Sequence, residues 1–332
     1  MKNPALALVI VSLGLGAVLG AASEARKIVI AHRGASGYLP EHTTEAIAAA
    51  HAQGADYLEQ DVVLSKDGVP VVLHDIHIDT VTDVARRFPA RARADGRYYA
   101  IDFTLAELKQ LAVGERFDPR TGQAVFAGRF PVGQGRFAIP TLEEEFQLIQ
   151  GLNRSTGREA GVYPEIKEPA WHRKEGQDIS RRVLDALGRH GYRTKADKAY
   201  LQCFDFEEVK RLRGELGYQG RLVQLLGDGP EFAPLRTRAG LAEVAKVADG
   251  IGPGLVQVVA GRREGTLHVT DLVREAHALG LVVHPYTFRA DALPAWAASF
   301  DELHQVFFVQ VGVDGVFTDH PDRTVAFVRG LR

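Results

Sequence analysis

Apolar residues in this chain gather into short runs, and most runs are followed by a stretch with helical spacing. "KIVIAHR" precedes "TTEAIAAAHAQG", "GVYPEIK" precedes "DISRRVLDALGRHG", and "AYLQCF" precedes "FEEVKRLRGELG". "VADGIGP" comes before "VTDLVREAHALG" and "GVDGVFTD" before "PDRTVAFVRG", with "RLVQLL" and "LVVHPYTF" as further runs. "YLEQDVV" differs, because a charged turn and "VPVVLHD" bring the chain straight back. Short apolar runs of this kind suit strands buried on both faces, as in a parallel sheet. Eight of them alternating with helices predict a closed (β/α)8 barrel, the TIM-barrel architecture. A doubly wound open sheet would carry a glycine-rich turn such as GxGxxG after its first strand, and none is present.

The segment from about 76 to 138 breaks the alternation. Within it "FTLAELKQL" reads as a helix, with Thr104 as N-cap three residues before Glu107. The segment enters directly after His74 and Asp75, at the end of a strand. Chain leaving a barrel strand at its C-terminal end lies over the mouth, so this segment is expected to be an insertion capping that face.

Charge matters next, because of where it falls. Glu59 and Asp61 sit one residue apart in a predicted strand and so project to the same side, as do Glu165 and Lys167. Charge inside a strand buried on both faces needs a partner. Strand ends add His32 and Arg33 after the first strand, His74 after the hairpin return and Gln202 on the fourth strand. The other ten histidines read as ordinary polar surface residues. Three acids without sulfur or clustered imidazoles suit a hard divalent cation, Ca²⁺ or Mg²⁺, rather than zinc. Three carboxylates, a divalent cation, Arg33 and Lys167 sum to about one positive charge, which suits an anionic ligand such as a phosphodiester. His32 and His74 then offer a base for the nucleophile and an acid for the leaving oxygen.

Composition narrows the field further. The chain has 332 residues, 45% hydrophobic, 25% charged and a net charge of −2, which gives no electrostatic case for nucleic acid. Residues 1–23 combine Lys2, an apolar run and then small residues, the pattern of a cleaved secretory leader, leaving a mature domain over 24–332 and no stable membrane insertion. The single cysteine, Cys203, lies in an apolar run and reads as a buried, inert thiol. Oligomeric state, a homodimer among the options, is not set by the sequence.

"HRGASGYLPEHT", "LEQDVVLSKDGVPVVLHD", "YPEIK" and "LQCFD" together resemble the motifs of the glycerophosphodiester phosphodiesterase family. "GRYYAIDFTL", "ADGIGP" and "VVHPYT" make the bacterial periplasmic, calcium-dependent type the nearest match, from about Lys27 to the C-terminus. The resemblance implies a barrel enzyme that hydrolyses glycerophosphodiesters to glycerol 3-phosphate and an alcohol. It implies His32 and His74 as catalytic residues, Glu59, Asp61 and Glu165 as metal ligands, and Arg33 and Lys167 as phosphate contacts. Many relatives carry Asn where this chain has His42, a difference expected to touch only fine specificity. Rival readings are a lysophospholipase D, a phospholipase C-like enzyme, or a surface adhesin that keeps the barrel without turnover.

Overall fold

The computed structural model describes residues 26–331, so the leader expected over 1–23 lies outside the described residues. The strands are β1 (Ile28–Ala31), β2 (Tyr57–Leu64), β3 (Pro70–Val72), β4 (Gly161–Ile166), β5 (Tyr200–Cys203) and β6 (Arg221–Leu226). β7 (Gly250–Pro253), β8 (Val259–Arg263), β9 (Thr266–Val269), β10 (Val282–Val283) and β11 (Gly315–Thr318) follow. Eight of them form a parallel sheet in the order β10-β7-β6-β5-β4-β2-β1-β11, with β3 pairing antiparallel to β2. Its two ends meet where Asp314 N donates to Val283 O at 3.1 Å and Phe317 N donates to Pro285 O at 3.0 Å, so the barrel is nearly closed.

Helices cover the outside because the outward residues of the strands are apolar. Leu58, Val62, Val162, Ile166, Leu201 and Leu222 join Ile47, Phe146, Val183 and Leu212 of the helices in one buried cluster. Several helices start on side-chain caps, including Thr43 before Thr44–Gln53, Thr141 before Leu142–Thr156 and Asp178 before Ile179–Arg189. Each cap oxygen accepts from a backbone N–H of the first turn, a contact worth about 1 kcal/mol.

Register decides what points inward. β2 and β4 pair Tyr57 with Gly161, Glu59 with Tyr163 and Asp61 with Glu165, and β5 sets Gln202 beside Glu165. Residues paired across parallel strands share a face, so Asp61, Glu165 and Gln202 form one row inside the barrel. Beneath that row Ile30, Tyr57, Tyr163, Val223 and Phe317 fill the interior as an apolar floor. Polar chemistry is thereby confined to the C-terminal mouth.

Segment 76–138 enters after β3 and has a small core of its own, with Ile78, Val84, Phe103 and Leu108 packed on Val63, Val71 and Leu73. The helix around "FTLAELKQL" is a single turn, Leu105–Leu108, started by Thr104 and Glu107 in a reciprocal capping box. The hairpin β8–β9 went unmarked by the hydrophobic pattern because its residues are largely exposed and polar and apolar residues alternate only over the four of β9. Among the described residues no helix is long and apolar enough to cross a membrane.

Candidate active site

The carboxylates Glu59, Asp61 and Glu165 lie at the centre of the mouth. Each offers an oxygen within 4.8 Å of the others, and all three residues are buried. Glu59 Oε2 accepts from the Arg33 backbone N–H at 2.7 Å and Oε1 from Gln202 Nε2 at 3.1 Å. Asp61 Oδ2 accepts from His42 Nε2 at 2.7 Å, and Glu165 pairs with Lys167 Nζ at 2.7 Å. Asp61 Oδ1 has no hydrogen-bond partner among the described residues.

That inventory leaves the trio short of positive charge. Burial, reinforced by the neighbouring Asp61, pushes the Glu165 carboxyl up to about 8 despite Lys167 beside it. Burial and then the Asp61 charge raise Glu59 well above its ordinary range as well. Asp61 goes the other way: burial opposes ionisation, but Lys167, His74 and His42 hold it well below. Two of the three buried carboxylates, Glu59 and Glu165, hold protons for want of a counter-charge, and one oxygen of the ionised third has no hydrogen bond, an arrangement that fits a hard divalent cation.

His32 and His74 are held alike. His32 Nδ1 lies 2.6 Å from Asp319 Oδ1, and His74 Nδ1 lies 2.7 Å from Asp75 Oδ1. Burial and then the Arg33 charge lower both imidazoles, His32 to about 4 and His74 to about 3, so both are neutral near pH 7. Each Nδ1 donates its proton to the carboxylate, which leaves Nε2 with the lone pair. The turn after β1 is built for this: Arg33 and Gly34 have φ of 56° and 81°, both left-handed. That turn aims the Arg33 N–H at Glu59. A Cβ on Gly34 would lie 2.7 Å from the Ala46 backbone, so only glycine fits there.

All eight residues singled out from the sequence, His32, Arg33, Glu59, Asp61, His74, Glu165, Lys167 and Gln202, line one cavity of about 370 Å³. Lys167 stands one residue beyond the end of β4. Phe204, Leu255 and Leu293 add an apolar part to its lining. Cys203 is fully buried and its thiol is pushed up by burial, so it takes no part.

Two corrections follow. Six of the ten histidines read as surface residues, His42, His51, His172, His284, His304 and His320, are buried. Each has a polar partner, which lets a neutral imidazole enter a core: His284 meets Tyr163 and His304 meets Thr324. His42 matters most, because it touches the ligand candidate Asp61 directly rather than tuning specificity from a distance. The sequence also gave no role to Glu41, Arg116, Arg129, Arg289 and Asp319. Of these only Asp319, a carboxylate at the end of β11, stood where a strand-end reading could have found it.

Residues 32–323 match the model of the glycerophosphoryl diester phosphodiesterase family. The glycerophosphodiester phosphodiesterase of Haemophilus influenzae is 44% identical over 330 residues, 92% of this chain and 91% of its own. A candidate glycerophosphoryl diester phosphodiesterase from Silicibacter pomeroyi has a similar crystal structure, with a TM-score of 0.69, 27% identity, and coverage of 92% of this chain and 94% of its own. An Oleispira antarctica phosphodiesterase, solved in complex with its product sn-glycerol-3-phosphate, shares the fold at a TM-score of 0.63 and 21% identity, covering 91% of this chain and 96% of its own. With the family model matched across nearly the whole barrel and the Haemophilus enzyme 44% identical over 92% of the chain, the chain belongs to the glycerophosphoryl diester phosphodiesterase family and is an enzyme of that class.

Proposed function

We propose that the enzyme hydrolyses glycerophosphodiesters to sn-glycerol 3-phosphate and an alcohol, with a calcium ion at Glu59, Asp61 and Glu165 and with His32 and His74 as the acid–base pair. The observation that carries this is the arrangement of two neutral imidazoles, each fixed through Nδ1 to a carboxylate, on one cavity with the carboxylate trio, Arg33 and Lys167. The 44% identical Haemophilus enzyme supports the substrate class, and the Oleispira protein binds the same product.

When bound, the cation would supply Lewis-acid stabilisation of charge on a phosphate oxygen. The residues of the chain do the rest. Arg33 and Lys167 bind the nonbridging oxygens; Lys167 is kept ionised by Asp61 and Glu165 even though burial opposes its charge. One Nε2 takes the proton of the glycerol 2-hydroxyl as its oxygen attacks phosphorus, the other imidazole delivers a proton to the departing alcohol oxygen, and water then opens the resulting cyclic phosphate to glycerol 3-phosphate. An incoming phosphodiester is an anion, and its charge favours the protonated imidazole that this second role requires. Gln202 holds Glu59 through its amide N–H, and the apolar part of the lining takes the carbon atoms of the substrate.

The test is turnover of glycerophosphocholine with excess chelator and again after calcium is restored. Full turnover in chelator would remove the metal, whereas no turnover under either condition would remove the substrate assignment. We further propose export, on the leader-like residues 1–23. The exported protein should then begin near Ser23 or Glu24 by intact mass, and a mass retaining the first twenty residues refutes cleavage.

A further inference from the structure

Segment 76–138 sends two arginines back to the site, and each ends on the carboxylate that holds one of the two histidines. Arg116 Nη1 donates to Asp75 Oδ2 at 2.7 Å, while Asp75 Oδ1 holds His74 Nδ1. Arg129 Nη2 donates to Asp319 Oδ2 at 2.7 Å, while Asp319 Oδ1 holds His32 Nδ1. Both guanidinium groups are anchored elsewhere as well. Arg116 forks onto Glu41, at 2.6 Å from Nη2 and 3.0 Å from Nε, and Arg129 forks onto Asp291, at 2.7 Å from Nε and 3.1 Å from Nη2. The Arg129 side chain is only 5% exposed and lies against the Phe126 ring, so it is packed in place.

We propose that Arg116 and Arg129 are positioning residues of the reaction, and that the segment 76–138 completes both His–Asp pairs rather than only covering the mouth. The proposal rests on the assignment of His32 and His74 as the acid–base pair. Neither arginine lines the cavity, so each acts through the carboxylate it braces. A carboxylate has two oxygens and can swing about its last bond. With one oxygen locked by a guanidinium, the other presents a fixed acceptor to Nδ1–H, which sets both the tautomer and the tilt of the ring. The two braces are unequal. Asp319 has a second one, Arg289 Nε at 2.9 Å, while Arg116 is the only arginine bonded to Asp75 among the described residues. Arg116 also steadies Glu41, which accepts from Arg33 Nη1 at 3.0 Å, so its influence extends to the phosphate side.

The experiment measures kcat and KM of Arg116→Gln and Arg129→Gln on glycerophosphocholine at saturating calcium, with melting temperature as the check on folding. Displaced outer contacts of this kind typically cost 10–100-fold, so kcat should fall about 10-fold for Arg129→Gln and closer to 100-fold for Arg116→Gln. KM should be unchanged within about 2-fold for Arg129→Gln and should rise a few-fold for Arg116→Gln, through Glu41 and Arg33. Pairing is the decisive readout. In a His32→Ala background Arg129→Gln should cost nothing further in kcat while Arg116→Gln still does, and a His74→Ala background should reverse this for kcat. Arg116→Gly and Arg129→Gly should regain kcat with added guanidinium, which also covers the case that the Gln variants fold poorly. Parental kcat in folded Gln variants, or losses identical in both histidine backgrounds, overturn the proposal. Histidine variants that keep full activity overturn instead the acid–base assignment on which it rests.

Discussion

Calcium affinity should climb steeply with pH, because the cation has to displace protons from the carboxylates that receive it. In the cation-free site Glu165 is raised by burial and by Asp61 to about 8, and Glu59 is raised for the same reasons. A carboxyl with a pKa of about 8 is roughly nine-tenths protonated at pH 7, so binding expels close to one proton from Glu165 alone. One displaced proton makes Kd fall about 10-fold per pH unit, or about 1.4 kcal/mol, between about pH 6 and 7, and the slope flattens above about pH 8. The sign for folding is opposite in the absence of the cation. A carboxyl whose folded pKa is raised binds more protons in the fold than in the unfolded chain, so stability falls as pH rises from about 4.5 to about 8. Calcium removes that loss, and at about 100 times its Kd it adds about 2.7 kcal/mol, close to 5 °C in Tm for a chain of this size. Calorimetric titrations in buffers of different protonation enthalpy count the released protons, and melting curves with calcium or chelator follow the gap. A Kd constant within about 2-fold from pH 6 to 8, with no proton release, would refute the argument.

His32→Ala and His74→Ala should each lower kcat by at least about 100-fold while calcium affinity stays near the parent; a variant keeping more than a tenth of the activity leaves the acid–base pair. His42→Asn keeps a donor for Asp61 and should hold calcium within a few-fold, whereas His42→Leu should weaken binding about 10–100-fold in the same titration. A substrate lacking only the 2-hydroxyl of glycerol should lose most of its turnover, since a well-oriented internal hydroxyl has an effective molarity of up to about 10⁵–10⁸ M. Turnover near that of the parent substrate, with KM measured alongside, would leave direct attack by water.

The barrel was legible because most of its strands are short apolar runs, and the alternation of those runs with helices has one economical closed solution. The inner site was legible for a related reason. Glu59 and Asp61 interrupt a strand whose eight residues are all buried, so their charge stands out against the pattern. Exposed or irregular chain offers no such contrast. The β8–β9 hairpin is largely exposed and alternates only over Thr266–Val269, and Arg116 and Arg129 sit among other arginines of segment 76–138 with nothing in their spacing to single them out. Their partners are 41 and 190 residues away, Asp75 and Asp319, a distance that only the folded chain closes.

What the sequence least revealed is how the acids divide their work, because a carboxylate takes its role from its neighbours. Glu59 and Glu165 both lie beside Asp61, one on the same strand and one on the neighbouring strand, and burial plus that repulsion raises both. Asp75, Asp319 and Glu41 stand one step outward, and all three lie below their ordinary range even though burial opposes it. His74 and Arg116 hold Asp75 down, His32, Arg289 and Arg129 hold Asp319, and Arg116 with Arg33 holds Glu41. Glu59 and Glu165 therefore lack a counter-charge that a cation would supply, while the outer acids already have theirs. Their ionised oxygens are left for the imidazole Nδ1–H groups, or in the case of Glu41 for the guanidinium of Arg33. Environment thus sets Glu59 and Glu165, raised and short of counter-charge, apart from Asp75 and Asp319, which are ionised and hold the histidines, while Asp61 is an inner acid that is already ionised. The guanidinium groups that make the separation come in part from the segment 76–138, so the chemistry at the floor of the mouth depends on chain that reaches it from outside the barrel.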